Sequence, residues 1–227
     1  MEECISVFDM LKIGVGPSSS HTLGPWRAAE RFLEELRNEN LLQKVKRVEI
    51  HLYGSLSLTG KGHATDLAVM LGLSGQDPEY IPIENIDSII KTIQSKSEIN
   101  LGNERAIPFH YLQDIVFNKN FLAYHANGLT FTAQLIDNTK YVSTFYSIGG
   151  GFVIKEEREN AKEKIQIKCA FPYPIDKAAE LLEYCTTEQK SISEIVFENE
   201  KSMRSEAVID HELMRIWNTM LECMYIG

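Results

Sequence analysis

The run Gly14-Val15-Gly16-Pro17-Ser18-Ser19-Ser20-His21-Thr22 puts Ser18, Ser19, Ser20, His21 and Thr22 between a Gly/Pro loop and an amphipathic stretch. Backbone N–H groups at a helix start have no intrahelical partner, and the helix dipole adds partial positive charge there. Such a start suits a carboxylate or phosphate, and neighbouring hydroxyls add donors for the same anion. Ser and Thr also serve as plain N-caps, so the residues alone leave both readings open.

A second cluster, Thr59-Gly60-Lys61-Gly62-His63-Ala64-Thr65-Asp66, sets a histidine three residues before a carboxylate. On a helix this spacing brings Asp66 within reach of His63. A carboxylate there would fix the ring's tautomer and raise its basicity, as a general base at neutral pH requires. The alternatives are a capping or surface histidine, or two ligands of a metal site with no third at a recognisable spacing. In Tyr124-His125-Ala126-Asn127-Gly128, the pair Asn127-Gly128 reads first as a tight turn between strands and second as a chemical group. The run Gly149-Gly150-Gly151 is costly in conformational entropy and marks a place where backbone approaches another group closely. No dinucleotide fingerprint, P-loop or Gly-x-Ser-x-Gly elbow is present.

The elements that must hold these clusters follow from periodicity. Residues 5–13 read as a short helix. Trp26, Ala29, Phe32, Leu33 and Leu36 recur at helical spacing over about residues 22–42. Val48, Ile50 and Leu52 alternate with Arg47, Glu49 and His51, which predicts a half-buried strand with His51 in its exposed phase. A Gly- and Ser-rich turn over residues 53–62 leads to a helix over about residues 63–73, and Ile86, Ile89, Ile90 and Ile93 mark a third. Leu129, Phe131, Ala133 and Leu135, the turn Asp137-Asn138 and a return over residues 141–147 predict a hairpin, closed by the glycine run. Residues 155–164 read as a charged connection. From Lys177 the chain is helical again, ending with Leu213, Ile216, Trp217, Met220 and Leu221 on one face. The expected fold is α+β, a mixed α/β domain followed by a helical C-terminal segment. That last face either folds back on the α/β part or belongs to a helical domain of which this chain holds only the beginning.

Composition narrows the classes. The 227 residues are 44% hydrophobic, with a net charge of −9 that argues against a nucleic-acid partner. No apolar run approaches the ~18–20 residues of a membrane span, and the acidic Met-Glu-Glu-Cys opening lacks the order of a signal peptide. Cys4, Cys169, Cys185 and Cys223 show no C-x-x-C spacing, neither a disulfide framework nor a cluster ligand set. A cytoplasmic setting fits best.

Residues 6–22, residues 53–66 and the run from Tyr146 to Phe152 stand in one order, and together they resemble the iron–sulfur-dependent L-serine dehydratases (L-serine ammonia-lyases). The resemblance covers essentially the whole chain. It implies an α/β beta domain over residues 1–164, similar to the serine-binding domain of some phosphoglycerate dehydrogenases. A connection over residues 165–186 and the first helices of an incomplete helical domain over residues 187–227 would follow. It also implies β-elimination of L-serine to pyruvate and ammonia, with a [4Fe–4S] cluster ligated by the half not present in this chain. That cluster-bearing domain or subunit would be a partner, and the complete enzyme a homodimer. By the same resemblance His63 is the candidate base, supported by Asp66. Ser18, Ser19, Ser20, His21, Thr22, Thr59, Gly60, Asn127, Gly149, Gly150 and Gly151 are the candidate substrate-binding residues. A positioned base contributes ~10²–10⁴-fold where enzymes need about 10⁶-fold or more, so this chain alone is expected to be inactive. The alternative is a non-catalytic serine-binding regulatory module.

Overall fold

In the computed structural model, residues 5–156 and 171–226 are described. They fall into two compact units, Gly14–Ala161 and the pair Met1–Ile13 with Lys162–Gly227. In chain order, α1 (Val7–Met10) precedes a π-helical turn over Ser19–Leu23 and α2 (Gly24–Asn38). Then come β1 (Val45–Tyr53), α3 (Gly54–Leu58), a 3-10 turn at Gly60–His63, α4 (Thr65–Leu73) and α5 (Ile83–Lys96). β2 (Glu98–Leu101), β3 (Arg105–Pro108), α6 (Tyr111–Asp114), β4 (Ile115–Asn118), β5 (Gly128–Leu135), β6 (Lys140–Gly149) and β7 (Phe152–Lys155) complete the first unit. α7 (Ala178–Glu188), α8 (Ile192–Lys201) and α9 (Glu206–Ile226) follow. The fold is α+β with a helical C-terminal segment.

The first unit is built on a five-stranded sheet ordered β4-β1-β5-β6-β7. β1 pairs with β4 in parallel and with β5 in antiparallel register, Ile50 lying opposite both Ile115 and Phe131. Alternation along β1 buries Val48, Ile50 and Leu52, while Glu49 and His51 stay half-buried. His51 is not simply exposed: its ring nitrogens meet Glu49 and Asn118. α2 carries proline in its first turn, where the missing N–H costs nothing. It buries Trp26, Ala28, Ala29, Phe32, Leu33 and Leu36. Phe32 stacks on Phe131 at 5.0 Å between ring centroids, seating α2 on the sheet. Glu35 reinforces that seat, accepting hydrogen bonds from Tyr141 and Ser143 and pairing with Lys155.

Several local expectations change. The segment expected as a Gly/Ser turn after β1 is helical, α3 followed by the 3-10 turn. Asn127-Gly128 is no tight turn; it opens β5. β2, β3 and β4 fall where the apolar pattern predicts no strand. The glycine run does close β6, with Gly149, Gly150 and Gly151 all at positive φ (102°, 59° and 76°), conformations that favour residues without a Cβ.

The second unit is helical. Glu200 of α8, almost wholly buried, accepts hydrogen bonds from the Val7 N–H (2.7 Å) and the Ser6 hydroxyl (2.9 Å) and pairs with Arg204 at 2.7 Å. Residues at the N-terminal end, expected with the α/β part, are thereby fastened into the helical one. Helix α7 occupies part of the stretch expected as a connection, and the break expected at residue 164 lies outside the described residues. Val7, Phe8, Val196, Phe197, Ile209 and Leu213 line an apolar groove of about 610 Å³. Among the described residues no helix is long and apolar enough to cross a membrane.

Candidate functional site

The π-turn, the end of β1 and the ends of β5 and β6 converge at one edge of the first unit. Ser18 caps the turn, its hydroxyl accepting from the His21 N–H at 3.1 Å. The N–H groups of Ser19 and Ser20, first in the turn, have no hydrogen-bond partner among the described residues. The Ser147 hydroxyl donates to the Ser20 carbonyl at 2.7 Å, and the Asn127 amide donates to the Ser147 carbonyl at 3.1 Å. A Cβ on Gly24 would lie 1.9 Å from the Ser147 hydroxyl oxygen, so glycine at the first position of α2 lets β6 hold the serine turn.

His21 is suspended between two hydroxyls, Nδ1 to Ser20 at 2.9 Å and Nε2 to Ser55 at 2.8 Å. Its ring faces that of His63 at 5.0 Å. Burial pushes the His21 pKa below the usual histidine value, and the charge of His63 lowers it further. His63 Nδ1 lies 3.0 Å from the Thr59 carbonyl. A carbonyl oxygen only accepts, so in neutral His63 the proton sits on Nδ1. Nε2 is left with its lone pair free, and it has no hydrogen-bond partner among the described residues. That is the form a general base requires.

Asp66 does not support His63. It accepts a short hydrogen bond from the Tyr111 hydroxyl and another from the Leu67 N–H at 3.0 Å. Burial, then the bond to Asp66, pushes the Tyr111 pKa far up, so this hydroxyl stays a donor. The helix spacing fails because Ala64, at φ 54°, stands in the left-handed region between the 3-10 turn and α4. His63 and Asp66 therefore share no helix face. The Thr59 carbonyl orients the ring where a carboxylate was expected to do so. The pairing of His63 with Asp66, on which a metal reading would rest, is not formed.

The remaining candidates separate into two groups. Ser18, Ser20, His21, Thr22, Thr59, Gly60 and Asn127 are drawn to the His21–His63 pair or to its immediate supports. Ser19 is exposed in the turn. Gly149, Gly150 and Gly151 form the β6–β7 connection that begins two residues beyond Ser147. Thr22 is buried, and its hydroxyl is spent on the His63 carbonyl at 2.8 Å. Ser55, Thr65, Tyr111 and Ser147 join the site without being among the residues expected there. Ser55 and Ser147 lie inside quoted motifs, but their partners are 34 and 127 residues away.

Among the described residues no three His, Cys, Asp or Glu side chains are grouped to hold a metal ion. Cys185 and Cys223 are free thiols, the latter exposed. The described residues do not fit an iron–sulfur cluster.

Fold and site together define an α+β protein that presents a histidine pair inside a hydroxyl-lined turn. The chain belongs to the serine dehydratase beta chain family, which matches residues 6–158. It is 42% identical over 225 residues to an L-serine dehydratase of Streptomyces coelicolor, covering 98% of this chain and 50% of that protein. It is 39% identical to L-serine dehydratase 1 of Escherichia coli, covering 98% and 49%. Against an L-serine dehydratase of Helicobacter pylori (strain J99) the identity is 40%, covering 98% and 48%. The chain spans about half the length of these curated relatives.

Proposed function

We propose that this chain supplies the base-bearing half of an L-serine dehydratase, which converts L-serine to pyruvate and ammonia by β-elimination. The observation that carries the reading is the state of His63: Nδ1 tied to the Thr59 carbonyl, Nε2 free, and the ring facing the serine turn. In this reading the substrate carboxylate is held by the N–H groups of Ser19 and Ser20 with the Ser18 and Ser20 hydroxyls. Asn127 and Ser147 fix that turn from the sheet side. His63 Nε2 takes the α-proton, and its imidazolium then keeps a proton on each nitrogen, the Nδ1 proton still donated to Thr59. His21, held neutral by burial beside His63, adds a polar group without a second positive charge. The glycine connection after β6 lets backbone approach the substrate without side chains in the way.

The [4Fe–4S] cluster that the resemblance implies would be held by residues of a cluster-bearing domain or subunit rather than by the described residues of this chain. The helical unit supports such a partner: Met214, Trp217, Met220 and Met224 of α9 are all exposed. A homodimer of the complete enzyme in the cytoplasm belongs to the same proposal.

The test is anaerobic pyruvate release from L-serine, with reconstituted iron and sulfide, by the chain alone and by the chain mixed with the cysteine-bearing half of a relative. Turnover is expected in the mixture alone. In that active mixture, His63→Gln should lower kcat by ~10²–10⁴-fold, with circular dichroism unchanged. Near-normal turnover by the variant would remove His63 as the base. Calorimetric binding of L-serine by the chain alone, with both pyruvate assays silent, would favour the regulatory module instead.

A further inference from the structure

His21 and His63 lie on different elements, yet their rings are held 5.0 Å apart. The side-chain bonds to Ser20, Ser55 and the Thr59 carbonyl orient each ring separately, and none joins one histidine to the other. What joins them is a pair of crossed hydrogen bonds. The Thr22 hydroxyl, next to His21, donates to the His63 carbonyl at 2.8 Å. The Thr65 hydroxyl, two residues after His63, donates to the His21 carbonyl at 2.5 Å. Both threonines are buried, at 3% and 0% exposure.

We propose that Thr22 and Thr65 are positioning residues, a reciprocal clasp that fixes the backbones of His21 and His63 and so sets the spacing of their rings. The packing around them supports this role. A Cβ on Gly16 would lie 2.3 Å from the Thr22 methyl, and one on Gly60 would lie 3.1 Å from the Thr65 hydroxyl oxygen. A glycine from each motif thus closes over one member of the clasp. Threonine is stiff at χ1, so each hydroxyl is held toward its carbonyl at little further entropic cost. Ala64, left-handed at φ 54°, sits between His63 and Thr65, and the bond from Thr65 ties down the segment that contains this turn.

The proposal gives Thr22 a different task from substrate binding and gives Thr65 one it did not have. Its catalytic meaning rests on His63 being the base, but its geometry does not. Among the described residues, Ser20 and Ser55 bond His21, the Thr59 carbonyl bonds His63, and each ring faces the other. Of the nearby charges, Asp66 is bonded to Tyr111 and the Lys61 ammonium lies over the Phe117 ring at 5.4 Å.

The experiment is NMR on this chain with ¹³C,¹⁵N-labelled histidine, in the wild type and in Thr22→Val, Thr65→Val, Thr22→Ser and Thr65→Ser. The wild type should show a cross-peak between the His21 and His63 rings and a His21 titration midpoint below that of an ordinary histidine. Each valine variant should lose the cross-peak and shift the His21 midpoint upward, because the rings separate and water enters. The serine variants, which keep the hydroxyl, should restore both. A folded valine variant with unchanged cross-peak and midpoint overturns the proposal, as does a serine variant that behaves like valine. Should a valine variant not fold, the wild type still decides. Slowly exchanging hydroxyl protons on Thr22 and Thr65 support the clasp; hydroxyls in fast exchange with water overturn it. None of these readouts needs turnover, so failure of the clasp and failure of His63 as the base are told apart.

Discussion

Helices α2 and α9 are both amphipathic by sequence, yet they differ in what they have to pack against. α2 seats Phe32 on Phe131 of the five-stranded sheet and sets Trp26 against Gly72 of α4, its indole N–H donating to the Gln76 carbonyl; Trp26, Phe32, Leu33 and Leu36 are each at most 1% exposed. α9 is longer, but among its described side chains only Ile209 is buried, and Trp217 is 49% exposed. A periodic apolar stripe says that a helix needs a neighbour. It does not say whether that neighbour is in the same chain. The first unit closes its own core between α2, α4 and the sheet, whereas α9 keeps Trp217, Met214 and Met220 exposed.

The largest expected effect tests this contrast directly. Phe32→Ala should cost ~3–5 kcal/mol in urea unfolding of this chain, while Trp217→Ala should stay within about 0.5 kcal/mol. Equal losses would mean that α9 is buried in solution and would erase the comparison. Next in size, Gly24→Ala forces a methyl group against Ser147 and should cost ~1–3 kcal/mol. It should also disturb the amide resonances of Ser20 and His21 more than those of α9; an even spread would show that the site is not the point of strain. The smallest effect is a pH dependence confined to the first unit. The His21 pKa is lowered in the folded state, so the unfolded chain takes up the proton first. Stability present above about pH 6.5 should therefore fall as the pH drops through the folded-state value. His21→Gln should flatten that part of the curve, and His63→Gln should reduce it.

Much of the scaffold was legible because its elements are long and regular. α2, β1 and the β5–β6 hairpin each carry several turns or alternations of apolar residues. β2, β3 and β4 have four residues each, too few for a period to emerge. At the site the residue types were legible and the partners were not. His63 and the serine turn announce themselves by composition. Asp66 misled because one left-handed residue, Ala64, interrupts the helix on which the spacing argument depends. Ser147 is tied to Ser20 across 127 residues, a contact that only the pairing of β6 beside the π-turn creates.

The bond between Ser6 and Glu200 joins residues 194 apart and has a consequence for synthesis. On a ribosome Ala161, the end of the first unit, emerges 39 residues before Glu200. At ~5–20 residues per second that is a delay of roughly 2–8 s. The sheet and the serine turn therefore have time to form while α1 still lacks its anchor. Through this interval Val7 and Phe8 lack Val196, Phe197, Ile209 and Leu213, the residues with which they line the apolar groove of the second unit.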